Sequence, residues 1–167
     1  MIKKGLLMLI LVASVGFAQR GKDRNPMLHE VSNKDVVVSV FPEAVKVEKV
    51  NDFWYKILNG KNKVIGYAMN STPYCQDVKG YNDLTPVMIV TDKKYVIKKV
   101  AILSNWETSR FVAKLDAQNF FDAWNGKKIK DAQKIEVDAH TGATFTASAV
   151  IKNVDYLLVN GSKLMPK

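Results

Sequence analysis

Asp138-Ala139-His140-Thr141-Gly142-Ala143-Thr144-Phe145-Thr146 is the stretch on which the fold turns. It holds one carboxylate, three threonines and a Gly-Ala pair that leaves the backbone uncrowded. The run before it, Lys134 to Val137, is strand-like. The run after it carries Ala147, Val150, Ile151, Val154, Leu157 and Leu158. That i, i+3, i+4, i+7 spacing marks one face of a helix, which Asn160-Gly161 closes. A strand, a small-residue turn with hydroxyls and a helix start together suit an anion. The first N–H groups of a helix have no internal partner, and the helix dipole favours negative charge beside them. The residues alone suggest a phosphate or phosphoester at this turn, presented by the rest of the chain.

Upstream, the hydrophobic pattern changes period. Phe111, Val112 and Leu115, then Phe120, Phe121 and Trp124, recur at helical spacing, with a break expected near Asp116 and a C-cap at Asn125-Gly126. Further back lie strand-like runs: Ala44 to Val50, Phe53 to Leu58, Val64 to Met69, Pro86 to Thr91 and Tyr95 to Leu103. Asn59-Gly60-Lys61-Asn62 is a strong hairpin signal and Asp92-Lys93-Lys94 a second turn. These runs predict an antiparallel meander. Ser71 to Asp83 reads as a loop with Pro73, Cys75, Gly80 and Tyr81. Ser32 to Asp35 reads as a helix start with Ser32 or Asn33 as N-cap, but Val36 to Phe41 has strand propensity. Pro42 ends the segment in either case. The fold class is therefore α+β: an antiparallel or mixed sheet with flanking helices, and the anion site at the N-terminus of the C-terminal helix. No internal repeat and no second domain is visible.

The 167 residues suffice for one domain with a substantial core. The formal net charge is +9, but the lysines are scattered, and the densest group, Lys127, Lys128 and Lys130, is short. A solvated basic surface is expected, and no nucleic acid as a partner. Lys3 and Lys4 precede an apolar run from Gly5 to Phe17, with small residues Gly16 and Ala18 before Gln19. That is the pattern of a secretory signal peptide over residues 1–18, with an uncleaved anchor as the alternative. The run is shorter than the roughly 20 residues a spanning helix needs. Residues 19–30 read as a polar linker and 31–162 as the domain. The expected location is outside the cytoplasm, periplasmic or membrane-associated on the outer side of the inner membrane.

Cys75 is the only cysteine, so neither an internal disulfide nor a thiolate metal site can form. His29 and His140 are the only histidines, and neither has an evident nucleophile beside it. No catalytic constellation and no metal site emerges.

The motif Asp138-Ala139-His140-Thr141-Gly142-Ala143-Thr144 resembles that of the FMN-binding domain family. This family includes a soluble domain of the sodium-translocating NADH:quinone reductase and a component of the Rnf electron-transport complex. The pattern runs Asp, two variable residues, Ser or Thr, Gly, Ala, then Thr or Ser. Its last hydroxyl is the flavinylated residue, which corresponds to Thr144. Trp106-Glu107-Thr108 is similar to the family's Glu-Thr-Pro-Gly segment, which contacts the flavin ring, although Ser109 and Arg110 stand where Pro and Gly are usual. Gly80-Tyr81 resembles a glycine-bearing loop near the cofactor. The similarity spans roughly residues 41 to 158.

The resemblance implies FMN held covalently through a phosphoester to Thr144. A flavin transferase would install it, taking FAD and releasing AMP. The implied site also includes Asp138, Thr141, Gly142, Ala143, Glu107, Thr108, Trp106 and Tyr81. Trp106 and Tyr81 either stack on the ring or serve as ordinary core aromatics. Thr146 is the alternative attachment point. The expected function is electron transfer without independent substrate turnover, between redox protein or membrane electron-transport partners. The alternative is an exported non-redox binding module that keeps the fold without flavin.

Overall fold

The computed structural model describes residues 26–139 and 142–167. The signal peptide expected over 1–18, most of the linker, and His140 and Thr141 lie outside the described residues.

The valine-rich run near the N-terminus is a helix, α1 (Asn33–Val40). Ser32 is its N-cap: the side chain accepts a hydrogen bond from the Asp35 amide at 3.1 Å, which satisfies one of the first-turn donors. β-Branched residues disfavour helix only by fractions of a kcal/mol. Here that bias is outweighed by burial, because Val36 and Val37 pack on the sheet beside Ile57, Ala68, Met88, Val90 and Leu103.

Five strands follow: β1 (Ala44–Lys49), β2 (Tyr55–Asn59), β3 (Val64–Asn70), β4 (Val87–Asp92) and β5 (Ile97–Ile102). They form one antiparallel meander in the order β1-β2-β3-β4-β5. Two side-chain-assisted turns set its register. Asn59 Oδ1 accepts from the amides of Lys61 and Lys63 at 3.0 and 3.1 Å, with Asn62 at positive φ. Asp92 Oδ1 accepts from Lys94 and Val96 at 2.8 and 3.0 Å. Short polar side chains that bond the backbone two to four residues on stabilise such turns.

β4 is buried on both faces, and its alternation divides the core. Met88 and Val90 point toward α1, while Val87 and Ile89 point to the opposite face. On that second face lie α2 (Ser109–Ala117), a 3-10 turn (Phe120–Trp124), α3 (Ile129–Ala132) and α4 (Thr144–Gly161). Leu115, Phe120, Trp124, Ile129, Ala147, Val150, Val154, Leu157 and Leu158 join Trp54, Met69, Ile97 and Val100 there in the main core. α4 is anchored at its far end, where Trp54 Nε1 donates to the Gly161 carbonyl at 2.8 Å.

One local expectation is corrected, and two helix ends fall where the sequence put them. Lys134 to Val137 is not a strand: no ladder is formed there. The start of β5 is bonded instead by the 126–127 segment, through Gly126 N–H to Ile97 O and Ile97 N–H to Lys127 O, both 2.8 Å. Ile135 and Val137 pack against the core as extended chain. The helix break expected near Asp116 is found: α2 ends at Ala117, Asn119 adopts φ +54 and the chain re-enters as 3-10. α4 ends at Gly161, where Asn160-Gly161 was expected to close it, and the chain continues as a 3-10 turn over Ser162–Leu164.

Candidate functional site

The site is assembled around a buried carboxylate. Glu107 lies in the loop between β5 and α2 and is 1 % exposed. Its own amide donates to Asn105 Oδ1 at 3.0 Å, and Asn105 Nδ2 donates to the Leu103 carbonyl at 2.7 Å. These bonds hold the loop against the end of β5. The Glu107 carboxylate accepts from the amide of Tyr81 at 3.1 Å on Oε2 and from the amide of Asn82 at 3.0 Å on Oε1. The hydroxyl of Thr146 also donates to Oε2. A carboxylate can be buried only if such donors replace its water. Here the donors are neutral: two loop amides and one helix hydroxyl.

Asn82 strengthens the knot, its Nδ2 donating to the Trp106 carbonyl at 2.7 Å and to Thr108 Oγ1 at 3.4 Å. Gly80 makes the close approach possible. A Cβ there would stand 2.7 Å from Glu107 Oε1 and 2.5 Å from Thr85 Oγ1. Three distant segments, 80–82, 105–108 and the start of α4, are thereby fixed to one another.

Against this knot lies a cavity of about 200 Å³ walled by Tyr81, Phe111, Ala143, Phe145, the Gly142 backbone and the two threonines Thr144 and Thr146. Tyr81 meets Phe111 edge to face at 4.9 Å and 85°, and its ring centroid is 6.4 Å from that of Phe145. Tyr81 and Phe145 remain 54 % and 68 % exposed. They form flat apolar walls open to solvent. Arg110 lies beside them, its guanidinium carbon 5.7 Å from the Phe111 ring centroid.

The floor of the cavity is the N-terminus of α4. Ala143 stands at the N-cap and supplies no side-chain oxygen. Gly142, at φ +81, turns the chain into the helix through the left-handed region. Lys114 of α2 reaches over this turn: its Nζ comes within 2.5 Å of the place a Cβ on Gly142 would occupy. Thr144 is exposed at the first position of α4, whereas Thr146, further along the same turn, is fully buried.

The structure brings together most of the residues singled out from sequence. Tyr81, Gly142, Ala143, Thr144 and Thr146 share the cavity. Glu107 lies behind it with its oxygens turned to the Tyr81, Asn82 and Thr146 donors. Thr108 is the N-cap residue of α2, although its side chain does not cap the helix. Asp138 is exposed on the segment leading into the turn. Trp106 is 41 % exposed and is not one of the cavity walls. Ser109 Oγ and His29 Nε2 are 2.9 Å apart, so the residue standing at the family's Pro position ties the N-terminal lead-in to α2. Phe111, Phe145 and Lys114 were not foreseen as site residues. Phe145 had a signal, an aromatic adjoining the motif threonine; Phe111 and Lys114 carried none beyond helix periodicity.

A second groove, about 420 Å³, lies on the other face of the sheet between α1 and β1–β3. Its walls are mainly aliphatic, including Val37, Val38, Val45 and Val47, and it is remote from the motif. The chemistry-bearing groups converge at the α4 terminus, not there.

Residues 80–159 match the FMN-binding domain family. No curated protein matches the chain. The match begins at Gly80 and ends within α4, so it contains the whole knot and cavity, while α1 and β1–β3 fall outside it. The residues present suit FMN. Flat aromatic walls accommodate an isoalloxazine ring, and a helix start whose N-cap is an alanine, beside a lysine, accommodates a phosphate. Gly142 leaves the space that a Cβ would fill to the Lys114 ammonium. Residues 80–159 thus match the FMN-binding domain family, and the walls of the site fit that cofactor.

Proposed function

We propose that this protein is an exported flavoprotein that carries FMN through a phosphoester on Thr144 and transfers electrons between protein partners. The observation that carries the reading is the position of Thr144. It is exposed at the first turn of α4, with aromatic walls rising beside it.

Attachment is a group transfer catalysed by a separate flavin transferase. The Thr144 oxygen bonds to the flavin-side phosphorus of FAD, the bond between the two phosphorus centres through their bridging oxygen breaks, and AMP departs. The hydroxyl proton is lost to solvent or to the transferase. The phosphodiester that remains keeps one negative charge at the α4 N-terminus. Helix-dipole stabilisation of such an anion is about 0.3–1 kcal/mol at an exposed site. Thr146 is a poorer acceptor, because its hydroxyl is buried and already donates to Glu107.

Bound FMN supplies one- and two-electron redox chemistry. The chain's own residues tether it, flank the ring with Tyr81, Phe111 and Phe145, and leave an exposed edge for a partner. Among the described residues there is no metal-binding cluster and no helix long and apolar enough to cross a membrane. Export is supported by Lys3-Lys4 and the apolar run to Phe17. Outside the cytoplasm a covalent tether retains a cofactor that no local pool would replace.

The test is co-expression with a flavin transferase, followed by denaturing electrophoresis with fluorescence detection. A fluorescent band at the protein's position supports the reading. A colourless protein made beside a competent transferase contradicts it and favours a non-redox binding module.

A further inference from the structure

We propose that Lys114 is the counter-cation of the flavin phosphate: its ammonium, seated over the Gly142 turn, holds the phosphoester oxygens at the N-terminus of α4. The inference rests on the reading of Thr144 as the attachment residue, and it assigns a positioning role to a residue outside the motif.

The geometry is specific. Lys114 lies in the last turn of α2 and points at the turn two residues before Thr144. Its Nζ and Cε come within 2.5 and 3.7 Å of the position a Cβ on Gly142 would take. Among the described residues, and the chain neighbours of Gly142 aside, nothing else stands within 4 Å of that position. The ammonium therefore occupies the space that the missing side chain leaves. The glycine serves two ends: it permits the φ of +81 and it admits the cation.

Among the described residues, Lys114 has no carboxylate to answer. The ion pairs there are made by Lys46, Lys49, Lys56, Lys79 and Lys98, all on the sheet or its loops. Its helix neighbour Asp116 feels Lys99 and Asp122 instead. A lysine in the last turn of a helix also suits that helix's own dipole. That ordinary role would act equally with and without cofactor. A phosphate role acts only once the phosphate is present, and this difference makes the two separable.

The experiment uses purified protein, a purified flavin transferase and FAD. Flavinylation is followed by intact mass at low and raised salt for wild type, Lys114→Arg, Lys114→Gln and Lys114→Glu. Thermal midpoints are measured for the apo and loaded forms of each. Lys114→Arg should load at a rate near wild type. Lys114→Gln should load roughly three- to tenfold more slowly and Lys114→Glu more slowly still, as expected for a partly exposed charge pair. The gap should narrow as salt screens the pair. Loading should raise the thermal midpoint of wild type more than that of Lys114→Gln, with the apo midpoints alike.

Equal loading rates and equal midpoint gains across the series would overturn the proposal while leaving the Thr144 reading intact. Slower loading with an undiminished midpoint gain would also overturn it, because Lys114 would then serve the transferase and not the phosphate. An equal fall in apo and loaded midpoints would reduce Lys114 to a helix-dipole residue. A wild-type protein that takes up no flavin would sink the Thr144 reading, and Lys114's role with it.

Discussion

The hydroxyl of Thr146 donates to the buried carboxylate of Glu107, and this bond couples the last helix to the loop that precedes α2. The same carboxylate holds the amides of Tyr81 and Asn82. One side chain thus sets the distance between an aromatic wall of the cavity and the helix start that forms its floor.

Glu107→Ala should therefore damage both stability and cofactor site. Two amides and a hydroxyl lose their acceptor in a buried setting. The expected cost is about 2–4 kcal/mol, from unsatisfied donors at roughly 1–3 kcal/mol each with partial relaxation toward water. Urea unfolding of the apoprotein measures it. A change under about 0.5 kcal/mol, the size of an ordinary surface substitution, would show that the knot is not a stabilising element.

Gly80→Ala tests the close approach behind the same carboxylate. The new Cβ would stand 2.5 Å from Thr85 Oγ1 and 2.7 Å from Glu107 Oε1, so the loop or the carboxylate must move. Overpacking of this kind costs typically about 1–3 kcal/mol. The displacement should also loosen the Tyr81 wall. The expected readout is a lower urea midpoint together with weaker quenching of flavin fluorescence in the loaded protein. Gly60→Ala is the control, since nothing lies within 4 Å of that position.

Cys75 should be inert as a nucleophile. It is buried, and burial pushes its thiol up to about 11, with Asp77 adding a smaller effect in the same direction. The thiolate, which is the reactive species, is then scarce at pH 8. Alkylation of the native protein at pH 8 should be at least about tenfold slower than that of the urea-unfolded protein, whose thiol titrates near its ordinary value of about 8.5. The sign for stability follows from the raised folded value. The native state holds this proton more tightly, so the contribution is complete below about pH 8.5 and is lost as pH rises through about 11. Cys75→Ala should remove that part of the alkaline decline in the unfolding midpoint. Equal alkylation rates in the native and unfolded protein would contradict the burial argument.

The sheet was legible because its signals are local. Alternating apolar residues marked the strands to within one or two residues, and Asn59-Gly60 and Asp92 marked turns whose side chains bond the backbone nearby. The valine run of α1 was ambiguous because propensity and capping disagreed, and the Ser32 cap with burial against the sheet decided it.

The site was legible only in its motif. Glu107 meets partners 25, 26 and 39 residues away, so no window of sequence could show that its carboxylate is an internal acceptor. Phe111 read only as part of a helix's apolar periodicity, and Lys114 carried no signal, until the packing of α2 against α4 placed one on the cavity wall and the other over Gly142. Lys134 to Val137 misled for the opposite reason. Its pattern suits a strand, but it enters no ladder, and the segment bonded to the start of β5 at Ile97 is 126–127.

The central claim is that Thr144, and not its neighbour Thr146, carries FMN. Intact mass after co-expression with a flavin transferase tests it most directly, with wild type, Thr144→Val and Thr146→Val compared. The account predicts a gain of one FMN less one water for wild type and for Thr146→Val, and no gain for Thr144→Val. Thr146→Val should instead lower apoprotein stability by about 1–3 kcal/mol, since Glu107 loses a donor. A Thr144→Val protein that still gains the flavin mass, or a wild-type protein that never does, would contradict the account.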